Sequence, residues 1–154
     1  MDPTDSTRAQ RPRLLFTGAG GAGTIEVLGR LRAEGRYSLI GCDASRFSAG
    51  FTLVERGYVI PFGADPAFER CFTAVLAAER PDFVIPLVDE EIPIVHRIVA
   101  RDFAAGGMRV VAPCPAFCDT TLDKWATFVA LSSHGLGVAP TWLASAAGAA
   151  IEIR

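Results

Sequence analysis

The sequence predicts an α/β fold built on a parallel sheet. Three observations carry this expectation. Apolar runs of strand length alternate with stretches of helical periodicity. Those runs lack polar alternation, so both faces of the sheet are covered. A glycine-rich loop separates the first strand from the first helix. Strand, helix, strand at this spacing makes right-handed parallel crossovers. The expected architecture is three-layered, with strand order 3-2-1-4-5 and a switch point beside the first strand.

Residues 1 to 12 read as a polar tail, expected to be disordered. Arg13 to Thr17 (RLLFT) is the first strand, ending at glycine. Thr24 to Glu34 places Ile25, Leu28 and Leu31 at helical spacing, and Gly35 stops the helix. Tyr37 to Cys42 is the second strand. Gly57 to Ile60, closed by Pro61, is the third. Phe68, Cys71, Phe72, Val75 and Leu76 form one helix face. Asp65 and Pro66 supply its expected N-cap and first helical residue. Phe83 to Val88 is the fourth strand, with hydrogen bonding expected to fail near Pro86. Ile94, Val95, Ile98 and Val99 mark a helix to about Ala104. Met108 to Ala112 is the fifth strand, and Asp123 to Ser133 a last helix carrying Trp125, Phe128 and Val129.

Composition narrows the function. The 154 residues fit one domain, half of them apolar and about a fifth charged. A net charge of −2 gives no reason to expect nucleic acid or an anionic membrane as partner. No apolar stretch approaches the ~20 residues of a membrane-spanning helix. Arg8, Arg11 and Arg13 precede only the short run Leu14-Leu15-Phe16, which is no secretory signal, so a cytoplasmic location is expected. Cys42, Cys71, Cys114 and Cys118 lack zinc-site spacing and read as small buried hydrophobes in a reducing compartment; no metal is expected.

Gly18-Ala-Gly20-Gly21-Ala-Gly23 matches G-x-G-x-x-G directly between a strand and a helix. The first glycine permits the tight turn, the second lets a ligand approach the backbone, and the third lets helix pack on strand. Free N–H groups of residues 19 to 24 would favour an anion. Asp43 ends the second strand about 20 residues beyond Gly23, where a Rossmann domain places its ribose-binding carboxylate. By these residues alone the leading reading is an NAD-binding Rossmann domain. The bland alternative is a tight connection beside an ordinary strand-end aspartate.

Asp89, Glu90 and Glu91 follow the fourth strand on the same side of the sheet. They could bind a substrate amine. They could equally serve the following helix, with Asp89 as its cap and the glutamates facing its positive end. Lys124 opens the last helix against the macrodipole, which a nearby phosphate would explain, although an ordinary solvated lysine is the simpler account. His96, on an apolar helix face, is given no role.

Taken together, LLFTGAGGAGTIEVLGRL (14–31), GCDASRFSAG (41–50), DFVIPLVDEE (82–91) and DKWATFVALSSHGLGVAPTW (123–142) resemble the N-terminal part of a carbamoyl-phosphate-synthase-like ATP-grasp ligase. The resemblance covers residues 13 to 143. It implies a Rossmann-like pre-ATP-grasp domain over 13–120 and the truncated start of the ATP-grasp region over 121–154. It implies that Gly18, Gly20, Gly21 and Gly23 line the substrate side, with Asp89 and Glu90 close by, and that Lys124 reaches ATP. The implied reaction joins a carboxylate to an amine or ammonia with ATP and Mg2+. The family's nucleotide-binding lysine, glycine-rich lid and magnesium ligands have no counterpart here, so this chain is not expected to bind ATP or to catalyse ligation alone. Besides a small-molecule substrate, the partners left open are a separate ATP-grasp chain and a second copy. Two alternatives stand beside this reading: an NAD(P)-binding Rossmann domain, and a non-catalytic binding or assembly module of a split enzyme.

Overall fold

The computed structural model describes residues 11–143. They divide into two units, one running to Ala112 and one starting at Pro113. Most of the expected polar tail and the alanine-rich end fall on residues 1–10 and 144–154, outside the described residues. Arg11 and Pro12 are engaged: Arg11 Nη2 reaches Glu55 at 2.9 Å, and the Pro12 carbonyl accepts the Ser38 N–H at 2.9 Å.

The first unit contains β1 (Arg13–Phe16), α1 (Ala22–Glu34), β2 (Ser38–Asp43), β3 (Arg56–Val59), α2 (Phe68–Glu79), β4 (Phe83–Ile85), α3 (Ile92–Ile98) and β5 (Arg109–Val110). The strands form one parallel sheet in the order β3-β2-β1-β4-β5, as the sequence predicts. Leu15 is paired with Ile40 on one side and Val84 on the other.

Strand alternation sorts the core into two layers. Leu15, Ile40 and Val84 pack with Phe68, Phe72 and Leu76 of α2 and with Val95 and Ile98 of α3. Phe16 and Leu39 project to the opposite face and pack with Leu28 of α1. Within α2, the Phe68 and Phe72 rings stack at 5.4 Å, as their i, i+4 spacing allows.

Local expectations are corrected at α2, α3 and β4. The α2 helix starts at Phe68, with Ala67 and not Asp65 at the N-cap. Asp65 instead closes the preceding turn, its carboxylate accepting the Ala67 N–H at 2.7 Å and its carbonyl the Phe68 N–H at 2.9 Å. Asp89 does not cap a long helix. Residues Asp89–Glu91 form a 3-10 turn, and α3 follows from Ile92 with no side-chain cap. Beyond Ile98 the chain widens into a π turn, Val99–Phe103. The β4 strand ends at Ile85, one residue before Pro86, whose missing N–H closes the ladder.

The second unit holds α4 (Pro115–Thr121) and α5 (Lys124–Ser133). Asp123 caps α5, its Oδ1 accepting the N–H groups of Trp125 at 2.7 Å and Ala126 at 2.9 Å. The α4 helix is absent from the sequence reading. Its signal was Pro115, the residue type favoured at the first helical position.

Candidate functional site

The C-terminal ends of β1, β2 and β4 surround a cleft of about 580 Å³. The glycine loop forms its floor. Gly18 adopts φ +61, and a Cβ there would lie 2.8 Å from Val88 Cγ2, so only glycine fits the turn. The loop then ties itself to its surroundings. The Ala19 N–H donates to the Cys42 carbonyl at 3.0 Å, Gly20 N–H to Asp43 Oδ2 at 2.7 Å, and Gly21 N–H to the Gly18 carbonyl at 3.0 Å.

This revises the anion-binding expectation. Three of the donors assigned to a ligand are consumed within the protein. The opening groups of α1, on Ala22, Gly23 and Thr24, are those without an intrahelical acceptor. Gly20 also has a different task from the one its motif suggests. A Cβ there would meet not a ligand but Ser48 Oγ at 2.8 Å and Asp43 Oδ2 at 3.1 Å.

Asp43 fastens the cleft wall. Its Oδ2 accepts from Gly20 and its Oδ1 accepts the Ser45 N–H at 2.8 Å. The carboxylate expected to grip a ribose thus holds the β2 loop against the glycine loop. Gly50 completes the wall: a Cβ there would stand 2.0 Å from the Ala19 carbonyl oxygen, so the short 3-10 turn Ala49–Thr52 seats directly on the loop backbone. Sequence reasoning assigned no role to Ser48 or Gly50. Their signal was the run of small residues Ser48-Ala49-Gly50 after the second strand.

The opposite wall follows β4. Leu87 and Val88 line the cleft together with Glu91. The Thr17 hydroxyl accepts the Leu87 N–H at 3.2 Å. Glu91 is 5% exposed, and its Oε2 has no hydrogen-bond partner among the described residues. Burial pushes its carboxyl above the usual glutamate range. The Thr17 hydroxyl opposes this shift, and the charges of Asp43 and Glu90 add to it. Burial likewise raises the Cys42 thiol, helped by Glu91, Asp43 and Glu79.

The expected site residues therefore separate. Gly18, Gly20 and Gly21 line the cleft. Gly23 lies in the first turn of α1, outside the lining. Asp89 and Glu90 are exposed on the 3-10 turn, and the third acid of the run, Glu91, is the one that enters the cleft. Lys124 belongs to the second unit, as the first residue of α5. The cysteine expectation also divides. All four are free thiols, with Cys42 and Cys118 buried, Cys71 intermediate and Cys114 exposed at the start of α4, where no core covers it. Among the described residues no group of three His, Cys, Asp or Glu side chains is placed to hold a metal ion.

No protein-family model matches the chain, and no curated protein matches its sequence. Solved structures match its fold. Glycinamide-RNase-transformylase T from Mycobacterium tuberculosis is 17% identical with a TM-score of 0.64, covering 86% of this chain and 38% of that one. An L-amino acid ligase from Bacillus licheniformis is 15% identical with a TM-score of 0.60, covering 82% and 31%. The biotin carboxylase domain of a single-chain bacterial carboxylase is 16% identical with a TM-score of 0.58, covering 84% and 30%. These neighbours are ATP-grasp enzymes, and the match falls on their N-terminal domains. At such identity the likeness is one of fold, and the chain spans about a third of each neighbour's length.

Proposed function

We propose that this chain is the substrate-side, N-terminal domain of an ATP-dependent ligase that joins a carboxylate to an amine or ammonia, of the carbamoyl-phosphate-synthase-like ATP-grasp kind. One observation carries the reading. The glycine loop, which in an NAD-binding domain offers its N–H groups to a pyrophosphate, here spends those of residues 19 to 21 on its own walls. What remains at the sheet's switch point is a cleft presenting a buried acid, Glu91, in place of a phosphate cradle. The shared fold with ATP-grasp N-terminal domains supports the same reading.

In the intact enzyme ATP and Mg2+ would activate the carboxylate as an acyl phosphate. The cleft residues do not suit a triphosphate: no lysine, arginine or histidine lines the cleft, and Asp43 and Glu91 oppose an anion. The chain's own contribution is to bind and orient substrate. Gly18, Gly20 and Gly21 form the floor, Glu91 supplies a charged acceptor, and Asp43 keeps the walls together. Lys124 is proposed to reach the nucleotide in the assembled enzyme. Exposed Phe47 and Phe62 at the cleft mouth give some support to a second reading, an assembly module that docks on a separate ATP-grasp chain.

Thermal-shift measurements separate these readings from NAD binding. Millimolar small amines are expected to raise the melting temperature, and NAD and NADP to leave it unchanged. Saturable protection by NAD would overturn the proposal.

A further inference from the structure

We infer that the cleft selects a primary amine carried on an apolar, unphosphorylated body, with its ammonium group on Glu91 and its body against Phe47, Phe62 and Leu87. The inference rests on the cleft being the substrate side, and it names the class of substrate.

Charge comes first. The lining residues include two carboxylates, Asp43 and Glu91, and no basic side chain. Phosphate recognition ordinarily enlists arginine or lysine, and a phosphate dianion here would instead meet two acids. The guanidinium of neighbouring Arg46 lies over the Phe47 ring, 4.7 Å from its centroid, and Arg46 does not line the cleft. An ammonium group reverses each of these penalties.

The acceptors come second. Glu91 lines the cleft, and its side chain is almost wholly buried. Glu91 Oε2 and Ser48 Oγ are both shielded from water, and neither has a partner among the described residues. Buried polar atoms of this kind are costly until paired. The terminal torsion of a glutamate is soft, so either carboxylate oxygen can turn to an incoming donor. A primary ammonium brings three donors and the complementary charge.

Shape comes third. Phe47 is 80% exposed, Phe62 75% and Leu87 47%, yet all three border the same cleft. Large apolar side chains left open around a polar floor match a ligand with a polar tip and an apolar body. The volume of about 580 Å³ is within the range of small-molecule sites.

Calorimetry on the 154-residue chain tests the inference with three probes: L-phenylalaninamide, O-phosphoethanolamine and 3-phenylpropionate. L-Phenylalaninamide is expected to bind saturably and more tightly than the other two. Glu91→Gln, checked for native circular dichroism, should weaken it about tenfold or more, because a charge-assisted partner is lost. Phe62→Ala should weaken it as well. Tighter binding of O-phosphoethanolamine, lost in Glu91→Gln, would overturn the substrate class while leaving the substrate-side reading intact. Unchanged affinity in Glu91→Gln would overturn the assignment of the ammonium. Absence of binding by every probe, with Phe47 and Phe62 buried in a dimer, would overturn the inference and the substrate-side reading together.

Discussion

Glu79 anchors the sheet end opposite the cleft, and replacing it with glutamine isolates what its charge contributes. The side chain is fully buried at the end of α2. Its carboxylate accepts from Arg13 and Tyr58, and from Arg56 Nη1 at 3.0 Å. These partners start β1 and belong to β3, so one residue joins a helix to two strands. Glutamine keeps the volume, which removes a cavity term from the comparison. It turns an N–H₂ toward one arginine and reduces the surviving bonds from charge-assisted to neutral. Losing one charged bond and weakening two gives about 2–4 kcal/mol. The larger loss typical of a fully buried pair is not expected, because Arg56 is mostly exposed and is rehydrated when released.

Burial works against the Glu79 charge, but Tyr58 and the two arginines outweigh it and hold the carboxyl below its ordinary value of 4.5. The unfolded chain therefore binds this proton more readily. The stabilisation is present above pH 4.5 and is lost as pH falls through the lowered value. Urea unfolding followed by far-UV circular dichroism, at neutral pH and near pH 3, measures the difference. Both tryptophans, Trp125 and Trp142, lie in the second unit, so their fluorescence would follow the wrong transition. A Glu79→Gln loss below about 1 kcal/mol at neutral pH, or one equally large in acid, would rule out this role for the Glu79 charge.

Other expectations follow from the cleft and the second unit. Gly20→Val should destabilise the fold by about 1–3 kcal/mol, because its Cβ meets Ser48 and Asp43 and not a vacant ligand space; urea midpoints check this. Glu91 has the opposite linkage to Glu79. Its raised value means that the wild type loses stability relative to Glu91→Gln as pH rises from 4.5 through the folded value, which melting curves across that range would show. In hydrogen exchange, amides of 123 to 134 should be less protected than those of β1, since α5 has no buried residue and Trp142 is 75% exposed; equal protection in a monomeric chain would contradict this.

The sheet was legible because its evidence is local and redundant. The runs at Leu14 to Phe16 and Phe83 to Ile85 lack polar alternation, and the Phe68, Phe72, Leu76 face has one period. Strand order then follows from handedness. The cleft was legible only in outline. The glycine motif located it, but motif spacing does not say whether an N–H group points to a ligand or to Asp43. Nor does a run of three acids reveal which one turns inward. That choice is made by the 3-10 turn at Asp89–Glu91, which leaves Asp89 and Glu90 exposed and buries Glu91. Ser48 and Gly50 were missed because their importance lies in how closely they approach Ala19 and Gly20, a distance that appears only after folding.

The glycine-loop cleft is proposed to receive substrate and not a nucleotide. Backbone amide shifts of the labelled chain test it most directly, with NAD, Mg-ATP and a panel of amino acids and amines titrated in turn. Saturable shifts are expected at Gly18, Gly20, Ser48 and Glu91 with members of the amine panel, and none there with NAD or Mg-ATP. Shifts over residues 18 to 24 with micromolar affinity for either nucleotide would contradict this proposal.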